Sequence, residues 1–120
     1  MNYRVVSVGS QKYIQCIPGK TCLKDEYDAL DLVAACGENG VQRLMMFADN
    51  LTEDFYHLSS GVAGDILLKF TNYHIRVAAV LTPELVNQGR FREMVLETNR
   101  GNQFRVFYGT AEAERWLFGA

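Results

Sequence analysis

The chain alternates short apolar runs with amphipathic stretches, and the two periods follow one another in a regular order. Tyr3 to Val8 and Lys12 to Ile17 are rich in β-branched residues, and the three residues between them, Gly9-Ser10-Gln11, suit a hairpin. Pro18-Gly19 ends the second run. From about Asp25 to Cys36 the period changes to that of a helix. Asp25 is placed to cap it, Glu26 and Asp28 favour the positive end of its dipole, and Tyr27, Leu30, Val33 and Ala34 share one face. Gly37 is expected to stop this helix, with Gly40 releasing the chain. Leu44 to Ala48 and Ile75 to Leu81 are short continuous apolar runs, as in strands buried on both faces. Between them lie a polar segment, Asp49 to Ser60, and a helix from about Gly61 to Phe70 with Val62, Ala63, Ile66, Leu67 and Phe70 on one side. Gly64 falls within that helix, where close packing against the sheet would account for it.

Thr82-Pro83-Glu84 has the form of a helix start: a capping hydroxyl, proline at the first helical position, then an acid. Gly89 should interrupt or bend this helical stretch, and Asn99-Arg100-Gly101 should end it. Gln103 to Tyr108 alternates as a last strand, and Thr110 is expected to cap a final helix carrying Ala113, Trp116 and Leu117. The predicted order is β-β-α-β-α-β-α-β-α. It implies an α/β fold with a mixed sheet of about five strands, mostly parallel, with one antiparallel edge strand.

Length and composition fit one domain over residues 1–120. The 120 residues are 48% hydrophobic and 22% charged, ordinary values for a globular chain with a real core. The net charge of −2 argues against non-specific nucleic-acid binding, which requires a basic surface. Arg90, Arg92, Arg100 and Arg105 form a local basic run that reads as a solvated helix end. No signal peptide or membrane-spanning stretch is visible, so no membrane partner is expected. Three cysteines, Cys16, Cys22 and Cys36, lack paired spacing and fit free thiols in the cytoplasm. The two histidines, His57 and His74, are far apart, so neither a zinc site nor another cofactor is expected.

In open α/β sheets, ligands usually bind beyond the carboxyl ends of the strands. Here the longest polar connection there is Asp49 to Ser60, which delivers Ser59-Ser60-Gly61 to a helix start. Such a place offers free N–H groups and a positive dipole end, so Ser59, Ser60 and Gly61 form a candidate phosphorylation or anion site. The plain alternative is a capping serine. Asp49, Asp54, His57 and Thr82 form a candidate cleft. Asp49, closing a buried strand, is the best single acid if catalysis occurs, and a turn-forming aspartate is the alternative. No nucleophile is fixed beside Asp54 and His57 by sequence. Glu97, Asn99 and Arg100 make a second polar cluster, expected at the opposite end of the sheet as a helix cap with a surface ion pair. No P-loop, GxGxxG, GxSxG or HExxH occurs, and no catalytic residue is assigned.

Residues Asp54 to Tyr73, DFYHLSSGVAGDILLKFTNY, resemble the signature of the bacterial domain-of-unknown-function family 4180, approximately DFFxLxTGxAGEILQKFxNY. Glu97-Thr98-Asn99-Arg100-Gly101 is similar to that family's ESNRG, and Asp28 to Leu32 fits its first helix. This chain departs at Tyr56, Ser60, Asp65, Leu68 and Thr98, and it has Leu81-Thr82-Pro83 where the family tends to read Gly-Asp-Phe. The element order also resembles the STAS domain, the fold of anti-sigma-factor antagonists. Ser59-Ser60-Gly61-Val62-Ala63-Gly64 is similar to the DSSGLG-like turn at the start of that fold's second helix. Leu58 stands where that turn usually has aspartate, and the preceding loop is longer. The STAS resemblance implies a regulatory, protein-binding module switched by phosphorylation at Ser59 or Ser60. The rival expectation is a small enzyme or an anion-binding protein using the carboxyl-end cleft. A purely structural subunit is a third, since an edge strand leaves room for a homo-oligomer without predicting one.

Overall fold

The computed structural model describes residues 3–119. Strands β1 (Tyr3–Val8) and β2 (Gln11–Cys16) form the antiparallel hairpin. Next come helix α1 (Glu26–Glu38), β3 (Arg43–Phe47), α2 (Glu53–Tyr56), α3 (Val62–Asn72) and β4 (Arg76–Val80). Helices α4 (Pro83–Val86) and α5 (Gly89–Thr98), strand β5 (Phe104–Phe107) and helix α6 (Thr110–Leu117) complete the chain. The sheet is mixed, with order β1-β2-β3-β4-β5, and every pair after the hairpin is parallel.

That order decides where the helices lie. Crossovers between parallel neighbours are right-handed, so a sheet whose strands step always in one direction receives its crossover helices on one face. Accordingly Leu32 and Cys36 of α1, Ile66 and Phe70 of α3, and Phe91 and Val95 of α5 pack in one cluster with Ile14, Leu44, Met46, Val77, Ala79 and Phe104 of the sheet. The opposite face, carrying Tyr13, Met45 and Ala78, is covered by α6 through Ala113, Trp116 and Leu117. The alternation 44/46 against 45, and 77/79 against 78, is the two-residue period of a strand buried on both faces.

Several local expectations hold. Asp25 caps α1, accepting from the N–H groups of Tyr27 and Asp28 at 3.0 and 3.1 Å. Thr82 Oγ1 accepts from Leu85 N–H at 3.4 Å, with Pro83 at the first position of α4. Gly89, at φ 48°, is the first residue of α5, just after the break that Asn87 and Gln88 make between α4 and α5.

Others require correction. Gly37 does not stop α1, which runs on to Glu38, and Gly40 at φ 65° makes the turn. The buried side of α1 is Ala29, Leu32, Ala35 and Cys36, whereas Tyr27 and Ala34 are exposed. Both stripes repeat at helical spacing, and the one with the smaller residues faces the neighbouring elements. Gly64 is exposed, and a Cβ there would meet nothing within 4 Å, so close packing does not explain it. Thr110 is the first residue of α6 rather than its cap, a position held by Gly109 without a side-chain bond. Part of the Asp49–Ser60 segment is helical: Ala48–Asn50 and Leu58–Ser60 are single 3-10 turns flanking α2.

Candidate functional site

The carboxyl ends of β2 and β3 are tied together by Asn50, a fully buried polar residue that sequence reasoning passed over. Its Oδ1 accepts from Phe47 N–H at 2.7 Å, and its Nδ2 donates to the carbonyls of Ile17 and Lys20, both at 2.8 Å. Its own carbonyl accepts from the N–H groups of Cys22 and Leu23 at 3.0 Å. One side chain thereby satisfies the backbone where β3 ends and holds the β2–α1 loop against it. The signal available in the sequence was an amide directly after an apolar strand, which reads equally well as an ordinary turn residue.

Beyond this tie, α2 lays Phe55 and Tyr56 edge-on against Phe91 of α5, with ring centroids 6.1 and 5.1 Å away. The Tyr56 hydroxyl donates to the Ala48 carbonyl at 3.2 Å. Burial, and then the negative charge of Asp49, push its pKa up to about 12. Between the α2–α3 segment and the α4–α5 junction is a hollow of about 400 Å³, whose walls include His57, Ser59, Gln88 and Arg90.

The structure separates the two serines. Ser60 Oγ donates to the Asp54 carbonyl at 2.7 Å and accepts from Val62 N–H at 3.2 Å, so its hydroxyl is used in shaping the entry to α3. Gly61, at φ 80°, turns the chain into that helix, a conformation that side chains disfavour. Ser59 is exposed on the wall of the hollow, and no hydrogen bond among the described residues uses its hydroxyl.

The four residues of the candidate cleft are placed on four different local features. Asp49 is exposed on the 3-10 turn after β3, and Asp54 is exposed on α2. His57 Nε2 lies 3.6 Å from Glu53, one helical turn back, and Thr82 caps α4. His57 is the one of the four on the wall of the hollow. In the second cluster, Asn99 bonds the backbone of β5, accepting from Val106 N–H at 2.9 Å and donating to its carbonyl at 3.5 Å. Glu97 and Arg100 form an exposed pair at 3.7 Å.

The carboxyl ends of this sheet differ from those of doubly wound sheets. The crevice of doubly wound sheets arises where the strand order reverses and adjacent crossovers part to opposite faces. Here the order never reverses. The three thiols are buried. Burial raises the Cys36 thiol to about 11, and a hydrogen bond with Cys22 followed by burial raises that of Cys16, which makes both poor nucleophiles. No group of three or more histidine, cysteine or acidic side chains that could hold a metal occurs among the described residues. No helix of the described residues is long and apolar enough to cross a membrane.

The sequence pattern of the domain of unknown function DUF4180 matches residues 8–117, nearly the whole chain. The chain belongs to this family. Within this DUF4180 domain, the stretch Asp54–Tyr73 supplies α2, the Ser59–Gly61 turn and α3, so that signature encodes one wall of the hollow. No curated protein and no solved structure matches the chain.

At the other end of the sheet, beneath α6, lie residues that sequence reasoning did not bring together. Arg43 and Arg76 begin β3 and β4, and Arg105, grouped above with Arg90, Arg92 and Arg100, lies in β5 within the strand expected over Gln103 to Tyr108. The signal was an arginine entering each of three successive strands.

Proposed function

We propose that the DUF4180 domain is a STAS-like regulatory module that acts in the cytoplasm by binding a protein partner at the carboxyl-end surface of its sheet. Phosphorylation of Ser59 would switch that binding. The observation that carries the reading is the inequality of the two serines. The Ser60 hydroxyl is committed to the fold, whereas that of Ser59 is exposed on a hollow shared with Arg90 and His57. A phosphate there would add about −1.5 to −2 charge ahead of α3 and beside a guanidinium suited to receive it. The STAS-like part of the reading rests on the resemblance in element order and in the Ser59–Gly64 turn, as fold analogy.

The alternative is an enzyme or small-ligand binder using Asp49, Asp54, His57 and Thr82. It needs those groups to converge; His57 instead lies against Glu53, Thr82 caps α4, and of the four His57 alone lines the hollow.

Immobilised wild type, Ser59→Ala and Ser59→Asp, challenged with lysate of the natural host, test the proposal. A protein held by wild type and Ser59→Ala but released by Ser59→Asp, or the reverse, is the expected result. Identical captures by all three would refute the switch.

A further inference from the structure

The face beneath α6 gathers the positive charge of three arginines. Arg43 and Arg76 sit at paired positions of adjacent strands, and Arg105, paired with Ala78, lies on the same face of the next strand. Two of the three guanidiniums are tethered to the chain. Arg43 Nε donates to the Leu117 carbonyl at 3.0 Å and Nη1 to that of Lys12 at 3.4 Å. Arg105 Nε donates to the Gly101 carbonyl at 2.7 Å and Nη2 to Asn102 Oδ1 at 3.3 Å. Arg76, between them, is different. Its guanidinium carbon lies 4.3 Å from the ring centroid of Trp116, and its Nε is buried without a hydrogen-bond partner among the described residues.

Trp116 adds a second orphan. It is only 7% exposed, and its Nε1 likewise has no hydrogen-bond partner among the described residues. Arg105 also lies over this ring, at 5.4 Å. Among the described residues, no carboxylate comes within 4 Å of any of the three guanidiniums. Burial, then the charges of Arg105 and Arg43, shift the Arg76 pKa downward, as expected of a cation crowded by cations. Stacking on tryptophan and the negative end of the α6 dipole explain why a cation is tolerated here. They do not explain three, nor two unused donors at one place. Hollows of about 340 and 510 Å³ flank Arg76, one shared with Arg43 and Phe118, the other with Arg105 and Trp116. Both lie in the size range of small-molecule sites.

We propose that Arg43, Arg76 and Arg105 form an oxyanion site that takes the phosphate or carboxylate group of a small molecule, whose remainder lies in the hollow beside Trp116. The planar guanidinium of Arg76 supplies paired donors, and the tethered arginines supply charge on either side. This site is separate from the Ser59 surface.

Trp116 is the chain's single tryptophan, so its fluorescence reports on the site directly. The intact protein is titrated with inorganic phosphate, pyrophosphate, citrate and, at matched ionic strength, sodium chloride, and separately with a short single-stranded DNA. The expected result is a saturable fluorescence change with a phosphate or with citrate but not with chloride. Arg76→Gln should weaken that response by at least about tenfold, the loss expected for charge-assisted hydrogen bonds. The stronger of phosphate and citrate tells a phosphorylated ligand from a carboxylate one. Should Arg76→Gln fail to fold by circular dichroism, Arg105→Gln carries the same test. No saturable change, a change equal to that of chloride, a response to DNA alone, or full affinity in the folded variant would overturn the proposal.

Discussion

Replacing Asn50 with alanine removes three hydrogen bonds from a fully buried position. The Phe47 N–H, held at 2.7 Å, loses its acceptor at the end of a buried strand. A stranded donor of that kind costs about 1–3 kcal/mol. The carbonyls of Ile17 and Lys20 belong to a partly exposed and an exposed residue, so water replaces much of what they lose. Each of those bonds is worth roughly 0.5–1 kcal/mol. The sum is about 2–5 kcal/mol, a large share of the roughly 5–15 kcal/mol that stabilises a domain. Urea unfolding followed by Trp116 fluorescence measures it. With a typical m-value, a loss of about 3 kcal/mol lowers the midpoint by roughly 1.5 M. Asn50→Asp keeps the acceptor and abolishes both donors, so it should not restore stability at neutral pH. If Asn50→Ala unfolds within about 0.5 kcal/mol of wild type, as a neutral surface change does, the assignment of Asn50 as the tie between β2 and β3 is wrong.

Gly64→Ala should stabilise the protein by roughly 0.5–1 kcal/mol, because the position is helical, exposed and open around a new Cβ. A lower urea midpoint in that variant would mean a contact that this geometry does not contain. Tyr56 predicts a loss of stability in alkali. Its folded pKa, about 12, exceeds the ordinary value near 10, so the unfolded chain gives up the proton first. Stability therefore falls as pH rises from about 10 to about 12, and Tyr56→Phe should flatten that decline; an identical pH profile in the variant would contradict the assignment.

Where the sequence pattern and burial coincide, the fold was legible. β3 and β4 are sandwiched between helices on both faces, so their apolar runs stand out against polar flanks. Thr82-Pro83 and Gly89 act through local backbone chemistry and therefore needed no tertiary information. The inward side of α1 was not legible, because two stripes repeat at the same spacing and only the packing chooses between them. Nor was Asn50, whose partners Ile17 and Lys20 are about thirty positions away in the chain. The arginines beneath α6 are separated by similar distances and meet only through strand pairing. The rule that points to the carboxyl ends says nothing about the amino ends of β3, β4 and β5, where these arginines lie.

The most direct test of the regulatory reading is phosphopeptide mapping of the protein isolated from its natural host across growth phases. The account predicts phosphate on Ser59 in a fraction of the molecules, with Ser60 unmodified because its hydroxyl is engaged with Asp54 and Val62. Phosphate on Ser60 instead, or none on either serine under any condition, would contradict it.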